Sequence, residues 1–366
     1  MSSSRRPRCG PSVPTPTTSR SDRAYRSRAR PRPSAYTPRA SLAVDNRPIM
    51  SMAVWPLARP GIGGPMHHLG RIAVRPVAAG AIVCVLVGLA ILAVAGGAAA
   101  RSAPAAGPGA RYLALGDSVT FGYEESQVKP APDYTKASTF RAYPDDVGAA
   151  LHLRVTNAAC PGETTSSLIN ANGPSYGCEN SPPPNQNVGY RRFFPLHVSY
   201  KGSQLSFAVK FLKKHPGTRL VSLMVGANDL FRCQKTTSDA CLSKSEQQAT
   251  LKTIKRNVRH ILSAIRDKAD YEGQLVLVHY YSIDYTSALF TGIVRALNRT
   301  IDAAGKGFHV ATADGFGEFR RGSAHSGGSA CKAGLLTQLS NGSCGVHPSY
   351  SGHGLLGLAV ERIVKR

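Results

Sequence analysis

From residue 111 onward, short apolar runs alternate with amphipathic stretches. Tyr112–Leu115, Arg154–Asn157, Leu220–Val225, Leu275–Tyr281 and Phe308–Thr312 read as strands. Between them, Gln204–His215 places Leu205, Ala208, Val209 and Leu212 on one helical face. Glu246–Lys268 does the same with Leu251, Ile254, Val258, Ile261, Leu262 and Ile265. Ala288–Ala304 and Gly354–Val364 have similar stripes. Strands alternating with helices predict an α/β fold, a parallel sheet covered on both faces. The region Gly173–Ser199 breaks the pattern with Pro182-Pro183-Pro184, several Asn and Gly, and the aromatics Tyr190, Phe193 and Phe194. It reads as a long ordered loop over one end of the sheet.

The chain ahead of residue 111 has a different character. Residues 1–65 are rich in Ser, Arg and Pro, with no helical or strand period. Such a segment buries too little apolar surface to offset its ordering entropy, and disorder is expected. Met50, Met52 and Met66 are internal candidate starts. A chain beginning at Met66 has Arg71 and Arg75 ahead of the uncharged apolar run Val77–Ala100, and this is the layout of an export signal. Ala98-Ala99-Ala100 offers a small-x-small cleavage site within residues 66–100. Left uncleaved, the same run is long enough to anchor the chain in a bilayer with its basic flank inside. Either reading sends the remainder across the membrane. Residues 101–110 read as a Pro/Gly/Ala linker, and residues 111–366 as one domain.

Charge sharpens this division. Residues 1–100 hold 14 Lys and Arg against 2 Asp and Glu; residues 101–366 hold 31 against 19. The domain is therefore moderately basic, which suits contact with an anionic surface, a membrane surface among them. Charge alone also admits nucleic acid. No zinc-finger spacing, RNA-recognition signature or basic heptad helix accompanies it, and no nucleic-acid partner is expected. Of eight cysteines, Cys9 lies in the basic arm and Cys84 in the apolar run. The other six, Cys160, Cys178, Cys233, Cys241, Cys331 and Cys344, fall in neighbouring pairs that bracket Gly/Ser/Asn-rich segments. An exported domain would oxidise them. Six cysteines allow 15 connectivities, of which nearest-neighbour pairing is the expectation here. Metal binding is the weaker alternative, because no Cys-x-x-Cys occurs.

Four blocks carry candidate chemistry. Gly116-Asp117-Ser118 follows the first strand, Asn157 to Thr165 the second, and Gly226-Ala227-Asn228-Asp229 the third; Val346-His347-Pro348 precedes the final helix. All four read as loops. In a parallel sheet the loops that follow the strands share one end, where ligands bind. A serine hydroxyl there becomes a nucleophile if a base reaches it. His347 and His353 are the rival bases, and His347 is preferred for its His-Pro loop setting.

With these blocks in this order, residues 111–366 resemble the SGNH/GDSL hydrolase family, and more closely its secreted bacterial esterases, lipases and phospholipases with three disulfides. The resemblance implies a three-layer α/β/α, flavodoxin-like fold with a mainly parallel five-stranded sheet. It implies a nucleophile at Ser118 and a general base at His347. Ser118 N–H, Gly162 N–H and the Asn228 amide would form the oxyanion hole. No cofactor or metal is implied, and a monomer is expected. Two positions depart from the family pattern. Val119 stands where many relatives have Leu. Cys344 stands three residues before the histidine, where relatives with a full triad have Asp. Some relatives hold the imidazole with a main-chain carbonyl, so a Ser–His dyad is expected, with the carbonyl of Cys344 or a neighbour in that place. Asp284 and Asp314 are the remote substitutes, and Asp117 reads as a turn residue. The implied activity is hydrolysis of carboxylic esters through an acyl-enzyme, with lipid esters as the leading substrates. Polysaccharide deacetylation and a catalytically silent lipid- or glycan-binding module are the alternatives.

Overall fold

A computed structural model describes residues 103–366. The expected disordered arm 1–65, the signal or anchor 66–100, and Cys9 and Cys84 lie outside the described residues. Among the described residues, no helix is long and apolar enough to cross a membrane.

Five parallel strands form the central sheet: β1 Arg111–Gly116, β2 Arg154–Asn157, β3 Thr218–Met224, β4 Gln274–Val278 and β5 Val310–Ala313. Their spatial order is β2-β1-β3-β4-β5. This is the doubly wound, flavodoxin-like order, and the winding reverses between β1 and β3. Strands β1, β3 and β4 sit in the middle of the sheet and are almost wholly buried, which is why they appear in sequence as near-continuous apolar runs.

Among the described residues, ten α-helices accompany the sheet. The first five are α1 Ser118–Phe121, α2 Tyr143–Ala150, α3 Thr165–Ile169, α4 Tyr190–Phe193 and α5 Gln204–Lys214. The others are α6 Ala227–Thr236, α7 Lys244–Ser263, α8 Ala288–Gly305, α9 Gly315–Gly322 and α10 Tyr350–Glu361. Helices α2, α9 and α10 pack together on one face, and α3 and α5–α8 on the other, giving three layers. Residues 336–338 and 344–348 form a small antiparallel hairpin, β6 Leu336–Gln338 and β7 Cys344–Pro348.

Several expected boundaries move for identifiable reasons. The fourth strand ends at Val278 rather than Tyr281, because the Asn298 side chain takes both backbone groups of Tyr280. The last helix starts at Tyr350 rather than Gly354, where the Ser349 hydroxyl caps it by accepting from Gly352 N–H at 3.2 Å. The seventh helix starts at Lys244, capped by Ser243, and its last expected turn is a π-helical turn, Ala264–Lys268. Residues 173–199 are irregular as expected, apart from α4. From Ala103 the stretch read as a linker lies on the domain. Ala106 is buried and donates to the Lys365 carbonyl at 2.9 Å, and Gly109 N–H donates to that of His152 at 2.7 Å.

The six cysteines form three bridges, Cys160–Cys178, Cys233–Cys241 and Cys331–Cys344. Their sulfurs are thus disulfide sulfurs, not the thiolates a metal site would need.

Candidate active site

Strand β1 delivers its chain to the sheet end at Gly116. Asp117 then caps the one-turn helix α1, its Oδ1 accepting from Val119 N–H at 3.0 Å while Oδ2 accepts from the Tyr280 hydroxyl. Burial, only partly offset by these bonds, pushes the Asp117 carboxyl up to about 6. Asp117 is a turn residue locked by both bonds, and Ser118 is the first residue of α1, at the end of the sheet.

His347 comes from the opposite end of the chain. It was expected in a loop; it sits in β7, and the hairpin fixes its backbone. Its Nε2 lies 3.0 Å from Ser118 Oγ. The rival His353 is inside α10, 3% exposed, and neither ring nitrogen has a hydrogen-bond partner among the described residues. Burial, reinforced by the charge of His347, pushes its imidazole down to about 3. A ring enclosed in this way cannot serve a hydroxyl at the crevice.

The other ring nitrogen of His347 corrects the sequence reading. Nδ1 lies 2.8 Å from Glu125 Oε1, not against a carbonyl of Cys344 or a neighbour. Glu125 is only seven residues beyond Ser118 in the chain. The same carboxylate accepts from Val346 N–H at 2.8 Å and, through Oε2, from the Thr337 hydroxyl at 2.6 Å. An antiparallel bridge between Val128 and Leu339, and Ser340 N–H donating to Gln127 O at 2.8 Å, lay the Glu125 segment along the hairpin. Gly345 makes the space. A Cβ there would stand 2.2 Å from Glu125 Oε1. Burial raises the Glu125 carboxyl, but the His347 charge and the bonds from His347 and Thr337 together overcome it and hold it at about 2. The carboxylate is thus held in its ionised form well below the ordinary carboxyl range. Val346 O accepts from the Tyr281 hydroxyl at 2.6 Å, which fixes the strand on its other side.

The two remote substitutes are engaged elsewhere. Asp284 accepts from Thr286, and Asp314 caps α9 and faces His279.

Gly162 and Asn228 occupy the loop after β2 and the first turn of α6. The Asn228 side-chain Nδ2 donates to the Glu163 carbonyl at 3.0 Å, which joins the two loops. Gly162 has a φ of +80°, and a Cβ would lie 2.6 Å from Gly177 Cα, so the position admits only glycine. The Cys160–Cys178 bridge closes the same crossing of the two backbones. Cys160 N–H donates to Gly116 O at 3.2 Å, fastening this loop to the end of β1. Asp229 accepts from both the Thr165 backbone and hydroxyl, tying α6 to α3; burial, ahead of those bonds, raises its carboxyl to about 6.

An aromatic cluster borders His347. The Tyr123 ring stands edge-on to the imidazole, with centroids 5.0 Å apart, and continues into Tyr134, Phe140, Tyr190 and Phe194. His197 Nε2 reaches Phe121 O at 2.9 Å, fastening residues 190–197 to the end of α1. Tyr190 is buried in this cluster, whereas Phe193 is 52% exposed.

The sequence profile of the GDSL-like lipase/acylhydrolase family matches residues 114–355. No curated protein sequence matches the chain. Similar solved structures include a lipase from a goat rumen metagenome, 16% identical with a TM-score of 0.44, over 70% of this chain and 99% of that one. The acetylxylan esterase Axe2 from Geobacillus stearothermophilus is 16% identical with a TM-score of 0.43, over 71% and 95%. Phospholipase A1 from Streptomyces albidoflavus is 19% identical with a TM-score of 0.43, over 69% and 99%.

Proposed function

Because the chain belongs to the GDSL-like lipase/acylhydrolase family and is a carboxylic ester hydrolase, we propose that it works through an acyl-enzyme on Ser118. His347 Nε2 takes the Ser118 proton as the hydroxyl attacks the ester carbonyl, then returns it to the leaving alcohol. Glu125 holds Nδ1–H, which fixes the tautomer and stabilises the imidazolium that forms. The developing oxyanion is met by Ser118 N–H, Gly162 N–H and the second hydrogen of Asn228 Nδ2, the first being held by Glu163 O. Water then repeats the sequence on the acyl-enzyme. The observation that carries this reading is the unbroken relay from Ser118 Oγ to His347 (3.0 Å) to Glu125 (2.8 Å).

The substrates proposed are lipid esters, acylglycerols or phospholipids. The basic balance of residues 101–366 and the exposed Phe193, next to Phe194 of the aromatic cluster, support an amphiphilic target. The domain acts outside the cell; its three bridges suit an oxidising compartment. Hydrolysis of p-nitrophenyl esters of increasing chain length, with Ser118→Ala as control, tests all of this. Turnover of medium and long chains that Ser118→Ala abolishes is the expected result. Turnover of acetate alone would replace the lipid reading by deacetylation. Unchanged activity in Ser118→Ala would end the acyl-enzyme reading.

A further inference from the structure

We propose that Glu163 is a positioning residue for ester hydrolysis, coupling the nucleophile turn to the oxyanion donors through Gln204 and Asn228. The proposal rests on the acyl-enzyme reading above. Glu163 is fully buried, one residue beyond Gly162, and touches neither Ser118 nor His347 in any hydrogen bond. Its carboxyl oxygens are hydrogen-bonded to Ser167 Oγ through Oε1 and to Gln204 Nε2, at 3.0 Å, through Oε2. Gln204, also fully buried, grips Gly116 from both sides. Its Oε1 accepts from Gly116 N–H at 2.7 Å, and its Nε2 donates to Gly116 O at 3.0 Å.

An amide can present its oxygen and nitrogen either way round. A lone pair on Glu163 Oε2 forces Nε2 toward the carboxyl, and so directs Oε1 at the Gly116 N–H. Gly116 stands two residues before Ser118. The Glu163 carbonyl at the same time receives Asn228 Nδ2. One buried side chain and its own backbone therefore set the end of β1, the Gly162 loop and the Asn228 amide relative to one another. A buried carboxyl is costly to keep unless something uses it, and the pairing here is complete. Burial, with the neighbouring Glu179, raises this carboxyl well above its ordinary range. Its Oε1 accepts from the Ser167 hydroxyl and its Oε2 from Gln204 Nε2. Glutamine at 163 keeps an acceptor for Gln204 Nε2 and a polar group beside Ser167 Oγ; leucine has neither.

The test compares Glu163→Leu, Glu163→Gln and Gln204→Met with the wild-type full chain. The readouts are p-nitrophenyl acetate kinetics and competitive inhibition by a boronic acid, which forms a tetrahedral serine adduct. Glu163→Leu is expected to lower kcat by about 100- to 1,000-fold, the scale of losing one oxyanion donor. KM should stay within about twofold, and boronate affinity should fall in step with kcat. Glu163→Gln should restore most of the rate. Should Glu163→Leu fail to fold, Gln204→Met carries the same expectation. A folded leucine or methionine variant with wild-type kcat, or a loss confined to KM, overturns the proposal. Wild-type protein without esterase activity would overturn the acyl-enzyme reading and this inference with it.

Discussion

Glu125 reaches His347 from Ser118's own side of the chain, and this has consequences that a carbonyl-supported dyad would not have. A carboxylate stabilises the imidazolium more than a carbonyl dipole does, so its removal should be costly. Glu125→Gln is expected to lower kcat by about 1,000- to 10,000-fold, by analogy with the matching change in a serine protease triad. Asp284→Asn and Asp314→Asn should leave kcat near wild type, and steady-state kinetics on a short-chain ester separates the cases. The same carboxylate gives a pH signature in stability. Its value falls from 4.5 to about 2 on folding. A lowered carboxyl contributes stability that is fully present above its unfolded value and is lost as pH falls through the folded value. The melting-temperature gap between wild type and Glu125→Gln should therefore be largest above about pH 5 and close progressively toward about pH 2. A gap independent of pH would mean that the Glu125 carboxylate is not stabilised as described.

At the level of elements, the sheet was legible and the hairpin was not. Strands β1, β3 and β4 are buried on both faces, so Tyr112–Leu115, Leu220–Val225 and Leu275–Val278 stand out as apolar runs. The placement of Ser118, Gly162 and Asn228 at one end of the sheet was readable, because each follows a strand whose carboxyl end must lie at the same edge. Hairpin β6–β7 is short, and Ser340, Asn341, Gly342 and Ser343 between its strands read as loop. The Glu125–His347 contact spans 222 positions and depends on space left by Gly345, and no local pattern encodes it. The available signal was weak: Glu124 and Glu125 are the acidic residues that follow closest on Ser118. The hairpin also makes its own prediction. Gly345→Ala places a methyl where the Glu125 carboxylate lies, so kcat should drop toward that of Glu125→Gln while the sheet is untouched; far-ultraviolet circular dichroism and kinetics together check this. Cys331–Cys344 fastens the first residue of β7 across a sequence separation of 13. On the chain-entropy account a loop of this size contributes about 3 kcal/mol. Replacing both cysteines by serine should lower the melting temperature by roughly 6–12 °C for a domain of this size, with the loss of activity on warming preceding global unfolding because His347 rides on the freed strand. Calorimetry beside an activity melt measures both.

For the whole molecule, the question is how a basic domain meets its substrate. Residues 101–366 carry 31 Lys and Arg against 19 Asp and Glu, yet the groups around Ser118 and His347 include the carboxyls of Asp117, Glu124 and Glu125. These carboxyls set the surroundings of Ser118 apart from the basic balance of residues 101–366. Such a distribution speeds encounter with an anionic interface without contributing to the chemistry of a single ester. The two contributions separate with salt. Exposed charges are screened beyond about 8 Å at physiological ionic strength and about 3 Å at 1 M. The Ser118–His347–Glu125 relay, made of direct contacts in a partly buried site, is screened far less. Hydrolysis of a soluble short-chain ester should accordingly change less than about twofold between 0.05 and 1 M sodium chloride. Hydrolysis of the same acyl group presented in vesicles rich in anionic phospholipid should fall several-fold over that range, through the apparent affinity and not through kcat. Neutral phosphatidylcholine vesicles should show little salt effect. Equal salt sensitivity for soluble and vesicle-borne substrate would place the charge effect in the crevice, against the distribution of side chains described here.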